Sequence, residues 1–431
     1  MNANKNKFKD ARVNRPERSQ VSIHMYSLDQ LLDKDHRARL VWQFVNGLDL
    51  TPLYEPIQVN KFKAGRSAIA PEILVALWLL ATLDGIGSAR EIERRCDTDI
   101  PYMWIRGEVG VNYHTLSSFR SGQTEFLDKV LVDSVATLVE RGIVPLNTVA
   151  QDGMRVRASA GKSSFRRKPT LEKLQQEAAE HLERLQKENA NEVERTKAEA
   201  RRHAAEERVA TDRKERIDEA LRQYEELAAA REKREKGTGA ETRVSTTDPD
   251  ARKMKMANGG FDPAFNVQFV TDADSRMILS VDVTNEGTDG NQLSPMQEKV
   301  RKDYGKAPDN ALVDSAFATK EEVTKVEKHG TKIVSTVPRA EQLKKNNKDP
   351  HGRQKGDTDE YADFRQRMSE ESFQAMYRQR PSIAEFPNAD CRNRNLTQFL
   401  VRGLHKVKGV ALLHALAFNL LRMVNLGALE A

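Results

Sequence analysis

Residues 149–159 read VAQDGMRVRAS. A short apolar approach, Val149-Ala150, delivers one acid, Asp152, directly before a glycine, and Arg155 and Arg157 follow at alternate positions. Asp-Gly is among the commonest turn dipeptides, so the stretch taken alone reads as a turn. The competing reading is a carboxylate on a strand end with a basic flank just beyond it. The surrounding sequence decides between them.

A chain of 431 residues suggests two or three domains and a substantial core. Its formal net charge is only +6, from 70 basic and 64 acidic residues, and mixes a nearly balanced insert with more basic flanks. Charge alone is therefore a weak argument for a polyanionic partner. Two cysteines, Cys96 and Cys391, give neither a disulfide framework nor a cysteine-based zinc site, and fit a reducing cytosol. The N-terminal stretch is polar without an apolar signal region, and the longest apolar run, ILVALWLLATL (73–83), is too short to span a bilayer. A soluble cytoplasmic protein is expected, with no membrane partner.

Residues 1–22 read as a disordered basic arm, and 23–145 as a helical domain. PEILVALWLLATLDGIG opens with Pro71-Glu72, suited to a first turn, and ends at Gly85 and Gly87; Ser88 and Glu91 then form a capping-box pair. Short helices separated by tight turns, carrying Arg90, Arg94 and Arg95, suit a helix-turn-helix-like DNA-binding region. An ordinary helical domain with a solvated basic face fits the same text.

Strand-like text begins at 146 and stops near Pro169. Residues 170–236 are dense in Glu, Lys, Arg and Ala, and Leu171, Leu174, Ala178, Leu182 and Leu185 step by three and four, as do Ile217, Leu221, Tyr224 and Leu227. This is a helical hairpin or coiled coil that interrupts a domain. FNVQFVTDADSRMILSVDVT (265–284) then alternates as a β-hairpin, followed by a helix from Gln292, the strand ALVD, a helix, the strand KIVSTVP, a polar loop over 339–370, and an apolar C-terminal helix. Strand, insertion, hairpin, helix, strand, helix, strand and helix make a mixed α/β sheet with flanking helices.

Two strands end in a carboxylate, Asp152 after TVAQ and Asp314 after ALV, and Glu385 lies in YRQRPSIAEFPNADCR. Metal-assisted phosphoryl transfer needs such a set, because oxygen ligands hold two Mg²⁺ ions about 4 Å apart at the reacting phosphate. Arg155, Arg157, Tyr377, Arg380 and Arg392 are placed in sequence to hold a phosphodiester.

Here the chain resembles the bacterial insertion-sequence DDE transposases with a ribonuclease H-like catalytic domain and a tyrosine–arginine–glutamate signature. VAQDGMRVRASAG resembles their first-aspartate motif, ALVDSAF their second, and Tyr377, Arg380, Glu385 and Arg392 the signature. The stretches DKDHRARLVWQFVNGLDLTPLY, NYHTLSSFR, FNVQFVTDADSRMILSVDVTNEGTDGNQL and FLVRGLHKVKGVALLHALAFNLLRM are similar to family text as well. The resemblance covers nearly all of the chain except its first 20 residues. It implies a catalytic domain over 146–431 interrupted by the 170–236 insertion, and a DNA-binding domain over 23–145. It further implies Asp152, Asp314 and Glu385 as catalytic metal ligands for Mg²⁺, with Mn²⁺ as a substitute. The implied partners are the terminal inverted repeats and target DNA as duplexes, and a second copy in a homodimeric synaptic complex associated with the nucleoid. Glu385 lies one residue further from Arg380 than the commonest signature has it, and Arg392 stands where lysine is usual. Pro387 disfavours helical geometry at Phe386, so Glu385 is expected at a helix entrance, with Glu370, Glu371 and Asp390 as alternative ligands. The other readings are a catalytically inactive or domesticated DNA-binding protein, a scaffold organised by the coiled coil, and a related metal-dependent nuclease.

Overall fold

The apolar run at 73–83 forms the middle of the helical region. In a computed structural model that describes residues 25–57, 67–191 and 196–429, it lies within a helix whose residues are almost all buried, with proline at its first turn. The basic arm expected over 1–22 lies outside the described residues. Among the described residues eight helices precede the sheet: α1 (Leu28–Leu31), α2 (Arg37–Asn46), α3 (Thr51–Tyr54), α4 (Pro71–Leu83), α5 (Ala89–Thr98), α6 (Ile100–Arg106), α7 (Tyr113–Gly122) and α8 (Thr124–Glu140). Side-chain oxygens or nitrogens cap α1, α2, α5 and α7 from Ser27, His36, Ser88 and Asn112, satisfying amides that the first turn leaves open.

The sheet is built on β1 (Thr148–Arg157). After it come β2 (Phe165–Arg166), the long helices α9 (Lys168–Asn191) and α10 (Lys197–Arg234), β3 (Val244–Ser245), β4 (Arg252–Lys255), β5 (Phe261–Asp272) and β6 (Ile278–Thr284). Next are α11 (Leu293–Tyr304), β7 (Asn310–Leu312), α12 (Lys320–Glu327) and β8 (Lys332–Val334). The chain closes with α13 (Ala340–Lys345), α14 (Asp359–Arg367), α15 (Glu371–Arg378), α16 (Arg380–Asn393) and α17 (Leu404–Asn425). β1 pairs antiparallel with β5 and parallel with β7, and β7 is parallel to β8. The far edge of β5 carries β6 along one part and β4 along another. The result is a mixed α/β fold with a six-stranded sheet.

Helix α17 joins the sheet to the helical region. It packs on β6 and α16 and on α4, α7 and α8. Asn419 accepts from the Ile278 amide at 2.8 Å and donates to the Ile278 carbonyl at 2.7 Å, where β5 and β6 lose register. Gly409 lets α17 pass close to α8: a Cβ there would lie 2.8 Å from Thr124 Oγ1. Among the described residues α17 alone is long and apolar enough to cross a membrane, and most of it is buried inside the fold. One continuous apolar core runs from Leu32 in the helical region through the sheet to Met423.

The charged segment forms the paired helices α9 and α10, leaving and returning through the two-residue ladder of β2 and β3. Apolar packing concentrates at that neck, in a separate cluster of Leu171, Ala220, Tyr224 and Val244. Leu174, Leu182 and Leu185 are only half-buried. Gln223 of α10 ties the pair to the body, donating to Asp250 at 2.6 Å and accepting from Arg252 at 2.7 Å.

The polar loop expected over 339–370 contains helices instead. Thr358 caps α14, Tyr361 and Phe364 bury one face of it, and Arg365 pairs with Asp357 at 2.9 Å with both side chains nearly inaccessible. Two apolar side chains three apart in charged text were too sparse to announce this helix against its polar surroundings.

Candidate active site

β1 passes straight through Asp152-Gly153, pairing Asp152 with Phe269 and Gly153 with Gln268, so the dipeptide makes no turn. Alternation along the strand sends the two residues to opposite faces. On the Gly153 face, a Cβ would lie 2.5 Å from Gln268 Nε2, 2.6 Å from Asp289 Oδ1 and 2.8 Å from Asn266 Oδ1. Glycine is required here for close approach, not for a turn.

The parallel register of β1 and β7 sets Val149 against Ala311 and Ala150 against Leu312. The ladder ends at Leu312, so Asp314 lies two residues beyond it, past the end of the strand next to the one that carries Asp152. Asp314 is exposed just past its strand, its Oδ1 accepting from the Ser315 amide at 2.5 Å.

Helix α16 lies across β1 and β5 on the Asp152 side. Asn388 donates to Asp152 Oδ2 at 2.9 Å, and Arg380 Nη1 stands 3.9 Å from Asp152 Oδ1. Burial pushes the Asp152 carboxyl from 3.8 up to about 6; Arg380 and the Gly153 amide oppose the shift, while Asp289 and Glu385 add to it. Glu385 precedes Asn388 by three residues, one helical turn along the same face.

Glu385 is not at a helix entrance. α16 runs from Arg380 to Asn393 with Pro387 inside it, and Glu385 sits in its second turn. Pro381 supplies a pre-set first turn, and the buried stripe Ile383, Ala384, Pro387, Asn388 and Cys391 packs against the body. That burial outweighs the hydrogen bond that Pro387 cannot donate.

The remaining candidates divide. Arg380 is nearly buried, at 11 % side-chain exposure, with Nε and Nη1 lacking hydrogen-bond partners. Tyr377 is half-buried against the core, and Arg392 is exposed near the end of α16. Arg155 lies on the Gly153 face, donating to the carbonyls of Lys255 and Gly287, whereas Arg157 is largely exposed beside Asp262. Away from the sheet, Arg94 and Arg95 both pair with Glu91, and Arg90 lies over the Tyr113 ring. Of the alternative ligands, Asp390 is held by Arg394 at 2.7 and 3.0 Å and Glu371 pairs with Arg378, while Glu370 occupies the N-cap position of α15.

Two residues escaped the sequence reading. Asn388 was hidden by the expectation that Pro387 ends helical geometry. Asp289 lay in a loop text, TDG, without any pattern of its own; it accepts from Asn266 at 2.7 Å and Gln268 at 2.9 Å.

Carboxylate oxygens are hard donors suited to divalent cations. Asp152 is the natural anchor, because its buried carboxyl has one amide donor and only a distant guanidinium to balance its charge. Among the described residues no three acidic, histidine or cysteine side chains stand close enough to enclose an ion as they are. The arrangement thus offers Asp152 on β1, Asp314 just past the neighbouring strand β7, and Glu385 on the helix that packs over β1.

Residues 26–122 match the family described as a transposase domain (DUF772), and residues 237–420 match the transposase DDE domain. Searches of curated proteins and of solved structures returned no match. The two family matches flank the interrupting helices and together take in more than half of the chain. The chain belongs to the insertion-sequence DDE transposases, enzymes that bind DNA and carry out its metal-dependent cleavage and strand transfer.

Proposed function

We propose that Asp152, Asp314 and Glu385 form the catalytic triad of a ribonuclease H-like domain, in the tyrosine–arginine–glutamate group of these transposases. The observation that carries this reading is the parallel pairing of β1 and β7, neighbouring strands that carry Asp152 and lead to Asp314, with the helix bearing Glu385 packed over β1. The strand order, with an antiparallel hairpin on one side of β1 and two parallel strands on the other, supports the fold assignment. Residues 23–145 are the DNA-binding domain and 146–431 the catalytic one, interrupted by 170–236. The enzyme works in the cytoplasm on the nucleoid, as a homodimer bridging two element ends.

Bound Mg²⁺, or Mn²⁺ in its place, would neutralise the scissile phosphate and favour the ionised form of the attacking oxygen. Asp152 and Asp314 present carboxylate oxygens from the sheet and Glu385 from α16. Asn388 fixes one Asp152 oxygen, leaving the other turned towards Arg380. Arg380 and Arg392 hold the phosphodiester, while Arg157 lies on the opposite face of β1 beside Asp262. In the first step water attacks phosphorus and the bond to the 3′-oxygen breaks, freeing a 3′-hydroxyl at the element end. In the second, that hydroxyl attacks a target phosphodiester, one P–O bond forming as another breaks.

The test is cleavage of labelled terminal-repeat DNA by Asp152→Asn, Asp314→Asn and Glu385→Gln, with binding measured on the same preparations. Each variant should bind DNA and lose cleavage and strand transfer, and a double variant should be scarcely worse than a single one. Near-normal cleavage by either aspartate variant overturns the mechanism. Normal cleavage by Glu385→Gln alone moves the third ligand to Glu370, Glu371 or Asp390.

A further inference from the structure

The β4–β5 hairpin reaches beyond the active-site strands, and the mechanism above makes no use of it. Past Asp152, β1 continues to Arg157 without β7 beside it, supported by β5 on one side and bridged at Arg157 to Gln398 on the other. Beyond Ala264, the partner of Arg157, β5 continues to Phe261 with β4 as its paired strand, the Pro263 carbonyl accepting from the Ala158 amide at 2.8 Å on the other edge. From the level of Asp152, opposite Phe269, to Phe261 is eight residues along β5. That is about 26 Å of strand, the length of about eight base pairs of duplex.

The tip is preformed. The Met256 amide donates to Gly260 O at 2.7 Å, Gly259 N to Met256 O at 2.9 Å, and Gly260 N to Asn258 Oδ1 at 3.1 Å. Phe261 is nevertheless 59 % exposed, although it begins a strand whose inner residues are wholly buried. Directly opposite it stands Lys255, and two pairs inward, on the same face, Lys253 opposes Pro263; both lysines are exposed, and neither has an ion-pair partner among the described residues. Lys253 also lies over the Phe165 ring at 5.1 Å, which brings the neck of the inserted helices, with the exposed Arg166, against the same arm. The single acid of the arm, Asp262, is already matched by Lys162 at 2.9 Å and by Arg157.

We infer that this hairpin is a DNA-gripping arm that takes the element-end duplex about eight base pairs from the scissile phosphate. Lys253 and Lys255 neutralise phosphates, and the exposed Phe261 ring sits in a groove against base edges. An apolar ring flanked by unpaired lysines on a stiff hairpin fits a polyanion with an apolar interior, and does not fit an acidic protein surface, which has nothing to offer the ring. The inference rests on the transposase reading for its substrate and on the position of Asp152 for its distance.

The experiment uses the full-length protein and labelled terminal-repeat duplex, with binding titrated from 50 to 200 mM salt in the absence of divalent ions. Lys253→Gln/Lys255→Gln should flatten the slope of log K against log salt by about 1.8, since each phosphate contact contributes about 0.9. Phe261→Ala should weaken binding about three- to tenfold at unchanged slope. A photoreactive phenylalanine at 261 should cross-link the element end about eight base pairs from the cleavage position. Lys255→Gln alone, which touches no aromatic ring, should give half the slope change and guards against a folding defect at Phe165. Unchanged slope and affinity in these variants, or cross-links confined to target DNA, overturn the arm. Because binding is read without cleavage, failure of the Asp152 and Asp314 mechanism would show in the cleavage assay and leave this result standing.

Discussion

Replacing Asp152 with asparagine should make the metal-free protein more stable at neutral pH while abolishing its chemistry. The folded carboxyl titrates at about 6 against 3.8 for an ordinary one, chiefly because burial disfavours its charged form. The sign follows from proton binding: between about pH 4 and 6 the folded state keeps a proton that the unfolded chain has released. The stabilisation from the neutral carboxyl is therefore complete below pH 4, falls as pH rises, and is gone above 6. At about 1.4 kcal/mol per unit of pKa shift, the wild type should lose about 3 kcal/mol across that window, reduced to about 2 by solvent around a side chain 23 % exposed. Asparagine has the same shape and no charge to bury, so it should escape this loss. Urea unfolding of both proteins in a chelator should give similar midpoints near pH 3.5, and a variant about 2 kcal/mol more stable at pH 7.5. Divalent cations should narrow the gap by binding the folded wild type. A gap that does not change with pH, or a wild type that is the more stable at pH 7.5 in chelator, would refute the account of Asp152 as a buried, under-compensated carboxylate.

Gly153→Ala should destabilise by about 1–3 kcal/mol through overpacking, where alanine in a strand ordinarily gains about 0.5–1; cleavage should fall with it while DNA binding is kept, and a variant as stable as wild type by denaturant midpoint would show that the Asp289 loop yields freely. Replacing residues 170–236 with a short Gly/Ser linker should leave a soluble, cooperatively unfolding protein, about 1–3 kcal/mol weaker because Asp250 and Arg252 lose Gln223; a molten product would place the inserted helices within the core. A fragment of residues 1–145 should be molten by near-ultraviolet dichroism, since α17 covers α4, α7 and α8 from outside it, and a cooperative thermal transition would instead make the helical region self-sufficient.

The elements that alternate or step regularly were legible in the sequence: β1, the β5–β6 hairpin, α4, α8, and the leucine-stepped ends of α9 and α10. Their patterns come from burial on one face, which a single chain displays directly. What the sequence withheld depends on partners far away along the chain. Nothing local announces that the strand leading to Asp314 lies beside the one carrying Asp152, because the pairing is set by how β7 slots beside β1 across about 160 residues. Pro387 is a helix breaker by local rules, yet Ile383, Ala384 and Cys391 are fully covered and hold α16 together across it. Arg94 and Arg95 looked like free cations for DNA, but Glu91 on the same helix occupies both.

Asp152-Gly153 joins the two kinds of information. Read as a dipeptide it suggests a turn; in a strand its residues belong to different layers. Asp152 faces α16, and Gly153 faces a seam of buried amides. Gln151 donates to Gln268 at 3.3 Å and to the Gln292 carbonyl at 2.8 Å, Gln297 donates to Gln151 at 3.1 Å, and Asn266 and Gln268 converge on Asp289. These amides have few alternative partners inside the fold, so they fix the height and tilt of β1 from behind. The acid proposed for the chemistry is therefore positioned by residues on the opposite face of its strand, through a glycine whose role is to leave room for them. A change in the seam shifts Asp152 relative to Asp314 without altering a single ligand, and a displacement of about 1 Å at a reacting centre costs on the order of a hundredfold in rate.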